Sequence, residues 1–367
     1  MLRPIVQPFC GAALHACRRL QEQLLAWLCD PTVSAKDITQ ANLQPTRVPT
    51  QIEADWLWNF LQKVDGGRTL LDRARVVAEM PPADKATLLT WGQAVAALAA
   101  QFQPNPPAWP LSKPAIRDDA WQAFKELMEA FYRKGLRSGL PYAANGTPVT
   151  SGGMTYAGFL QAFRAAHQLN PVPHAREVCV LCGGPLGQTP EVDHWIAVSA
   201  FPLLSVCADN LLPICGECNS TSNKADQPVH TQGVFDDWFH PYLRPGHGAL
   251  HLDYVLQTLS ITCAATDAAD TARVTNLDKL LNLASRWTRE FKAEYAKQQS
   301  VLIGREKRRI ARGQTEHTQA EVRAQLLTVQ DELVATEPFH EVHRILCAAM
   351  LEQSRLAAWQ TELGLLI

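Results

Sequence analysis

Two Cys-x-x-Cys pairs constrain this chain more than any other feature of its sequence. They are Cys179-Val-Leu-Cys182 and Cys215-Gly-Glu-Cys218. A two-residue spacer lets two thiolates grip one ion from a tight turn, and two such pairs complete a closed tetrahedral set. A closed set leaves no position for water, so the expected occupant is a structural Zn2+. Gly183-Gly184 gives the first turn freedom to curl back on itself. The other cysteines (Cys10, Cys17, Cys29, Cys207, Cys263, Cys347) are scattered and read as small buried apolar residues. Cys207 lies inside the motif, so a fifth-thiol role stays open for it.

Residues 183–214, between the pairs, hold more than a zinc ribbon needs. Val192-Asp193-His194-Trp195-Ile196 reads as a short strand with a carboxylate and an imidazole side by side. Asn210-Leu-Leu-Pro-Ile214 reads as a second strand, running into Cys215–Asn219, where a helix is expected to open. The order Asp-His, Asn-Leu, Cys-x-x-Cys-Asn, then Lys resembles the HNH endonucleases, whose active site is a ββα-metal unit. The resemblance covers Cys179 to Lys224. Phe201-Pro-Leu-Leu204 and Phe239-His240-Pro-Tyr242 extend it toward one HNH subgroup.

The resemblance implies a role for each residue. His194 is the general base, since a neutral imidazole near pH 7 suits proton abstraction from water. Asp193 ligates a catalytic Mg2+ (or Mn2+) that bridges the scissile phosphate. Asn210 bonds backbone across the long loop and so aims His194. Asn219 takes the second metal-ligand position, an H-N-N variant of the family pattern, and Asn223 competes with it. Lys224 stands five residues after Asn219, farther than the family spacing, and is expected to face nucleic acid. Phe201, Leu203 and Leu204 are expected to pack the loop. His240 reads as structural, with a phosphate contact as the alternative.

The rest of the chain reads as helical. Apolar residues recur at helical spacing over 9–29, 52–64, 69–79, 84–102, 118–134 and 156–167, and again over 276–304, 306–313, 319–335 and 339–363. A short hairpin is expected within 249–262. Five prolines in residues 104–114 suit neither a helix interior nor a central strand. The expected fold class is therefore mainly α with a small α+β insert. Its parts are a helical accessory domain (1–103), a Pro-rich linker (104–116), a nuclease domain (117–248, core 176–228) and a hairpin-plus-helices C-terminal domain (249–367).

A net charge of -2 excludes a globally basic protein, so any nucleic-acid site must be a local patch. The densest is within 286–312, where nine Lys or Arg meet three Glu. Arg305, Lys307, Arg308 and Arg309 are the candidate backbone contacts. No secretory signal layout or spanning segment is evident, so a cytoplasmic protein is expected. The leading expectation is a metal-dependent endonuclease that nicks DNA, in phage defence or restriction, with other proteins of such a system as further partners. The alternatives are a non-catalytic zinc-stabilised nucleic-acid or protein-binding module, and an HNH-type ribonuclease.

Overall fold

A computed structural model describes residues 3–43, 47–167, 176–187, 190–255 and 257–364. Residues 188–189 of the expected core and Leu256 of the expected hairpin lie outside them. Within the described residues the chain is mainly helical, with three two-stranded antiparallel sheets. No helix among them is long and apolar enough to cross a membrane.

The amino-terminal half is built from α1 (Gly11–Leu28), α2 (Gln51–Leu61), a two-residue hairpin β1–β2 (Val64–Asp65, Arg68–Thr69), α3 (Leu70–Ala78) and α4 (Pro82–Ala96). Thr50 and Thr69 start α2 and α3 with capping boxes, each hydroxyl accepting the backbone N–H of an acidic residue three positions on. α5 (Asp118–Ala130) carries the apolar stripe that the sequence predicts, and Phe124, Leu127 and Met128 on it are fully buried. It continues as a π-helical turn, Phe131–Leu136, which brings Tyr132 toward the segment that holds Asp193 and His194. α6 (Tyr156–His167) follows.

The strands of the central segment are β3 (Glu191–His194) and β4 (Leu211–Ile214), paired so that Asp193 faces Leu212 and His194 faces Leu211. A hairpin, β5 (Leu250–Val255) with β6 (Ser260–Ala265), leads into α7 (Thr271–Leu281), α8 (Leu283–Ala311), α9 (Gln319–Asp331), α10 (His340–Met350) and α11 (Gln353–Gly364).

Two helix boundaries differ from expectation. The break near Gly304 is absent, and α8 runs straight through it, since one interior glycine costs a helix only about 1 kcal/mol. The chain breaks instead at Asn282, which adopts a left-handed conformation (φ 52°) between α7 and α8, a geometry asparagine tolerates.

The proline-rich run is irregular, as the sequence requires, but it is not a free spacer. Trp109 is buried against Phe201 and Phe235, with ring centroids 5.1 and 5.3 Å away, and the Trp91 indole donates to the Ser112 carbonyl at 3.0 Å. The amino-terminal helices likewise pack on the central loop. Gln21 of α1, fully buried, donates to the Ser205 hydroxyl at 3.0 Å, and Phe201 stacks on Trp91 of α4. One apolar core thus runs from Ile5 to Trp359.

Candidate active site and metal centre

The first cysteine pair sits in a tight hairpin. Val178 bridges Pro185, the Cys179 amide donates to the Gly184 carbonyl at 2.7 Å, and the Gly183 amide returns to the Cys179 carbonyl at 2.8 Å. Gly183 has a φ of 72°, the left-handed conformation that such a turn needs and that other residues resist. The second pair leaves the end of β4. The Cys218 amide points at the Cys215 sulfur at 3.4 Å, as the Gly184 amide points at the Cys182 sulfur at 3.4 Å.

All four cysteines are buried, and their sulfurs lie within 4.8 Å of one another. A tetrahedral ion with Zn–S bonds of about 2.3 Å requires sulfurs roughly 3.8 Å apart, and Cys182 and Cys215 are 3.7 Å apart. Donor type, number and spacing all fit a structural zinc. Cys207 is not a fifth ligand, because its sulfur faces the Arg18 guanidinium at 3.4 Å.

Strand alternation separates Asp193 from His194. Val192 and His194 turn to the buried face of β3, while Glu191 and Asp193 turn to the outer one. His194 packs edge-on against Tyr132 (centroids 4.7 Å apart), whose hydroxyl donates to the Val192 carbonyl at 2.9 Å. His194 Nε2 lies 2.9 Å from the Ser205 carbonyl. A carbonyl only accepts, so Nε2 carries the proton and Nδ1 holds the lone pair. Burial pushes the imidazole pKa down to about 4, which keeps the ring neutral at pH 7.

Asn210 bonds backbone on the far side of the loop that follows β3. It is fully buried, accepts the Ile196 amide at 2.6 Å and donates to the Ile196 carbonyl at 3.0 Å. The Asn210 carbonyl also takes the Trp195 amide at 2.8 Å. The loop from His194 to Asn210 is thereby closed at its neck, with Leu203 and Leu204 fully buried inside it.

Three expectations need correction. No α-helix opens at Cys215–Asn219; Cys215 to Asp226 is a run of turns. The Ser220 hydroxyl and the Asn223 side-chain amide both take the Glu217 carbonyl, at 2.9 and 2.7 Å, and short polar side chains that bond local backbone compete with a helix ladder. Asn219 donates its side-chain amide to Glu191 and not to Asp193, and the amide of buried Asn223 bonds the Glu217 carbonyl. Lys224 does not face solvent. Its side chain is fully buried, with Nζ 2.6 Å from Asp193 Oδ2 and donating to the His194 carbonyl at 2.6 Å. An ammonium that satisfies a carboxylate and a strand carbonyl at once is a structural tie, not a phosphate contact. Burial raises the Asp193 pKa, against the opposing pull of the Lys224 charge.

The oxygen donors on this outer face are Asp193, Glu191 and the Asn219 amide, and the Asp226 carboxylate adds its field to Asp193. These are the hard oxygen groups that Mg2+ prefers, but Lys224 already fills the cation's place beside Asp193. Sequence reasoning passed over Glu191, Asp226, Tyr132 and Ser205. Tyr132 was visible only as one member of an apolar stripe.

The flanking candidates are dispersed. His240 is fully buried on Phe102, with Nδ1 accepting the amides of Tyr242 and Leu243 at 3.3 and 3.2 Å, so it is structural. The Tyr242 hydroxyl donates to the Leu211 carbonyl of β4 at 2.9 Å. On α8, Lys307 and Arg308 are exposed and Arg305 is half-buried. Arg309 is tied to Glu321 at 2.9 Å.

No family model matches the chain, and no solved structure matches it. Among curated proteins it is similar to protein ea31 of Escherichia phage lambda, 28% identical over 128 residues. That match covers 31% of this chain and 40% of the phage protein, so the chain spans less than half of its relative's length.

Proposed function

We propose that this chain is a metal-dependent endonuclease that hydrolyses DNA phosphodiester bonds, with His194 as general base. The observation that carries this reading is the state of His194. The Ser205 carbonyl holds the proton on Nε2, burial keeps the ring neutral, and Asn210 closes the loop that supplies that carbonyl. A neutral imidazole with a free Nδ1 lone pair is the species a general base requires. Asp193, with Glu191 on the same face of β3, would hold the divalent ion. When bound, that ion polarises the phosphate and stabilises the departing oxygen. Tyr132 keeps the His194 ring from turning, and Arg305, Lys307 and Arg308 offer a local cationic surface for the backbone. A single unit of this kind nicks one strand. The setting we propose for it is phage defence or restriction.

A second reading rests on Lys224. Its ammonium occupies the side of Asp193 where a cation would bind, as in a zinc-stabilised binding module without catalysis. Incubating the purified protein with supercoiled plasmid, linear DNA and RNA, each with Mg2+, Mn2+ or EDTA, separates the readings. Metal-dependent conversion of supercoiled to open-circular plasmid is expected. Cleavage confined to RNA would indicate the ribonuclease, and no cleavage with any metal would favour the binding module. Charge reversal at Arg305, Lys307 and Arg308 is expected to weaken DNA binding and flatten its salt dependence; unchanged binding across a salt series would remove α8 from the interface.

A further inference from the structure

The zinc cysteines lie far in sequence from the carboxy-terminal helices, yet those helices reach both cysteine turns. Arg286, near the start of α8, is 6% exposed. Its Nη1 donates to the Cys218 sulfur at 3.3 Å, and its Nη2 lies 3.9 Å from the Cys215 sulfur and 3.3 Å from Glu217 Oε2. The next residue, Trp287, is fully buried and donates its indole N–H to the Cys182 carbonyl at 2.8 Å. Phe339, which caps α10 in a left-handed conformation, donates its amide to the Gly183 carbonyl at 2.7 Å. Its ring lies so close to Gly184 that a Cβ there would sit 2.7 Å from Cζ. Two helices that share no strand with the cysteines thus grip both turns at their tightest points.

Charge gives the arrangement a reason. A zinc ion held by four thiolates leaves a net double negative charge in a buried place, which is costly unless a cation is near. Among the described residues, Arg286 is the cation that touches the sulfurs. Its Nε has no hydrogen-bond partner, so the guanidinium is committed through its two terminal nitrogens. Nη1 also donates to the Leu281 carbonyl at 3.1 Å, tying the same side chain to the end of α7.

We propose that Arg286 is the countercharge of the zinc tetrathiolate and that, through Arg286, Trp287 and Phe339, the metal is the anchor on which the carboxy-terminal helices dock. Zinc then does more than join the two cysteine turns. It holds α8 and α10 against the central segment, and those helices in turn keep the cysteine turns closed around the ion. The inference rests on zinc occupancy and is independent of nuclease chemistry.

Zinc release from the full chain into a chromophoric chelator tests it. Replacing an outer partner of a metal ligand weakens metal binding by about 10–100-fold. Arg286→Met is expected to release zinc faster by a factor in that range, Arg286→Lys by less. Arg289→Ala should release it at the wild-type rate, because exposed Arg289 pairs with the Glu217 carboxylate and, among the described residues, with no sulfur. Hydrogen exchange on wild-type protein before and after zinc removal is the second readout, and it stands if Arg286→Met does not fold. The first turns of α8 and α10 are expected to lose protection while α1 and α5 keep theirs. Wild-type release kinetics in Arg286→Met, protection of α8 and α10 that survives metal removal, or purified protein that neither holds nor binds zinc would each overturn the proposal. The last would also remove the zinc site itself, which the first two leave intact.

Discussion

At the scale of single residues, the polar groups of the central segment are bonded in ways that make their removal expensive. Asn210 is the clearest case, because all three of its side-chain bonds go to buried backbone. Asn210→Ala leaves the Ile196 amide and carbonyl without partners, and each buried unsatisfied group costs about 1–3 kcal/mol. A loss of about 3 kcal/mol in urea unfolding is expected, and a loss below about 1 kcal/mol would mean that the loop does not depend on it. Lys224 is the second case. Removing one member of a buried ion pair strands the other, at about 3–5 kcal/mol. Lys224→Met should therefore destabilise strongly, and adding Asp193→Asn to it should recover part of the loss. A double variant less stable than the single one would show that Asp193 does not depend on Lys224. Much of this was legible in advance. Cysteine spacing is dictated by the geometry of ligation, and the family resemblance implied that Asn210 bonds backbone across the loop. The burial of Lys224 was not legible, because it follows from the turns after Cys218, which no local pattern announces. Arg286 was visible only as one charge in a basic run, since its partner Cys218 lies 68 residues upstream.

At the scale of elements, the two strands formed where apolar residues flank Asp-His and Asn-Leu, and the helix expected after them did not. The Ser220 hydroxyl and the Asn223 amide both bond the Glu217 carbonyl, and Ser222 pairs with Ser220, so the segment commits its polar side chains to turns. The aromatic stretch that follows is held by His240. Its imidazole is buried neutral, pushed down to about 3 by burial and by the neighbouring Arg244 charge. An unfolded histidine takes up a proton near pH 6.5, so the unfolded state binds the extra proton first as pH falls. The stability His240 contributes is present above pH 6.5 and is lost as pH drops from there toward 3, by up to about 1.4 kcal/mol per unit. His240→Asn keeps an acceptor for the Tyr242 and Leu243 amides without a titrating ring. Denaturation at pH 7, 6 and 5 should show a shallower acid loss in this variant than in wild type. Parallel curves would mean that His240 titrates alike in both states.

At the scale of the whole molecule, the helices on either side do not stand apart from the central segment. α1 and α4 cover the loop that holds Ser205, α5 and its π turn deliver Tyr132 to His194, and α8 and α10 close on the cysteines. The prolines by themselves suggest a boundary, because proline content reports local stiffness and is silent about what a buried Trp109 will pack against. The arrangement makes the environment of His194 a product of the entire fold, and that residue is where the functional account is most exposed. The most direct test compares wild type with His194→Ala for nicking of supercoiled plasmid in Mg2+ or Mn2+, at matched zinc content and matched thermal stability. The account predicts metal-dependent nicking by wild type and its loss, by at least about 100-fold, in the variant. Equal nicking by both proteins would contradict it.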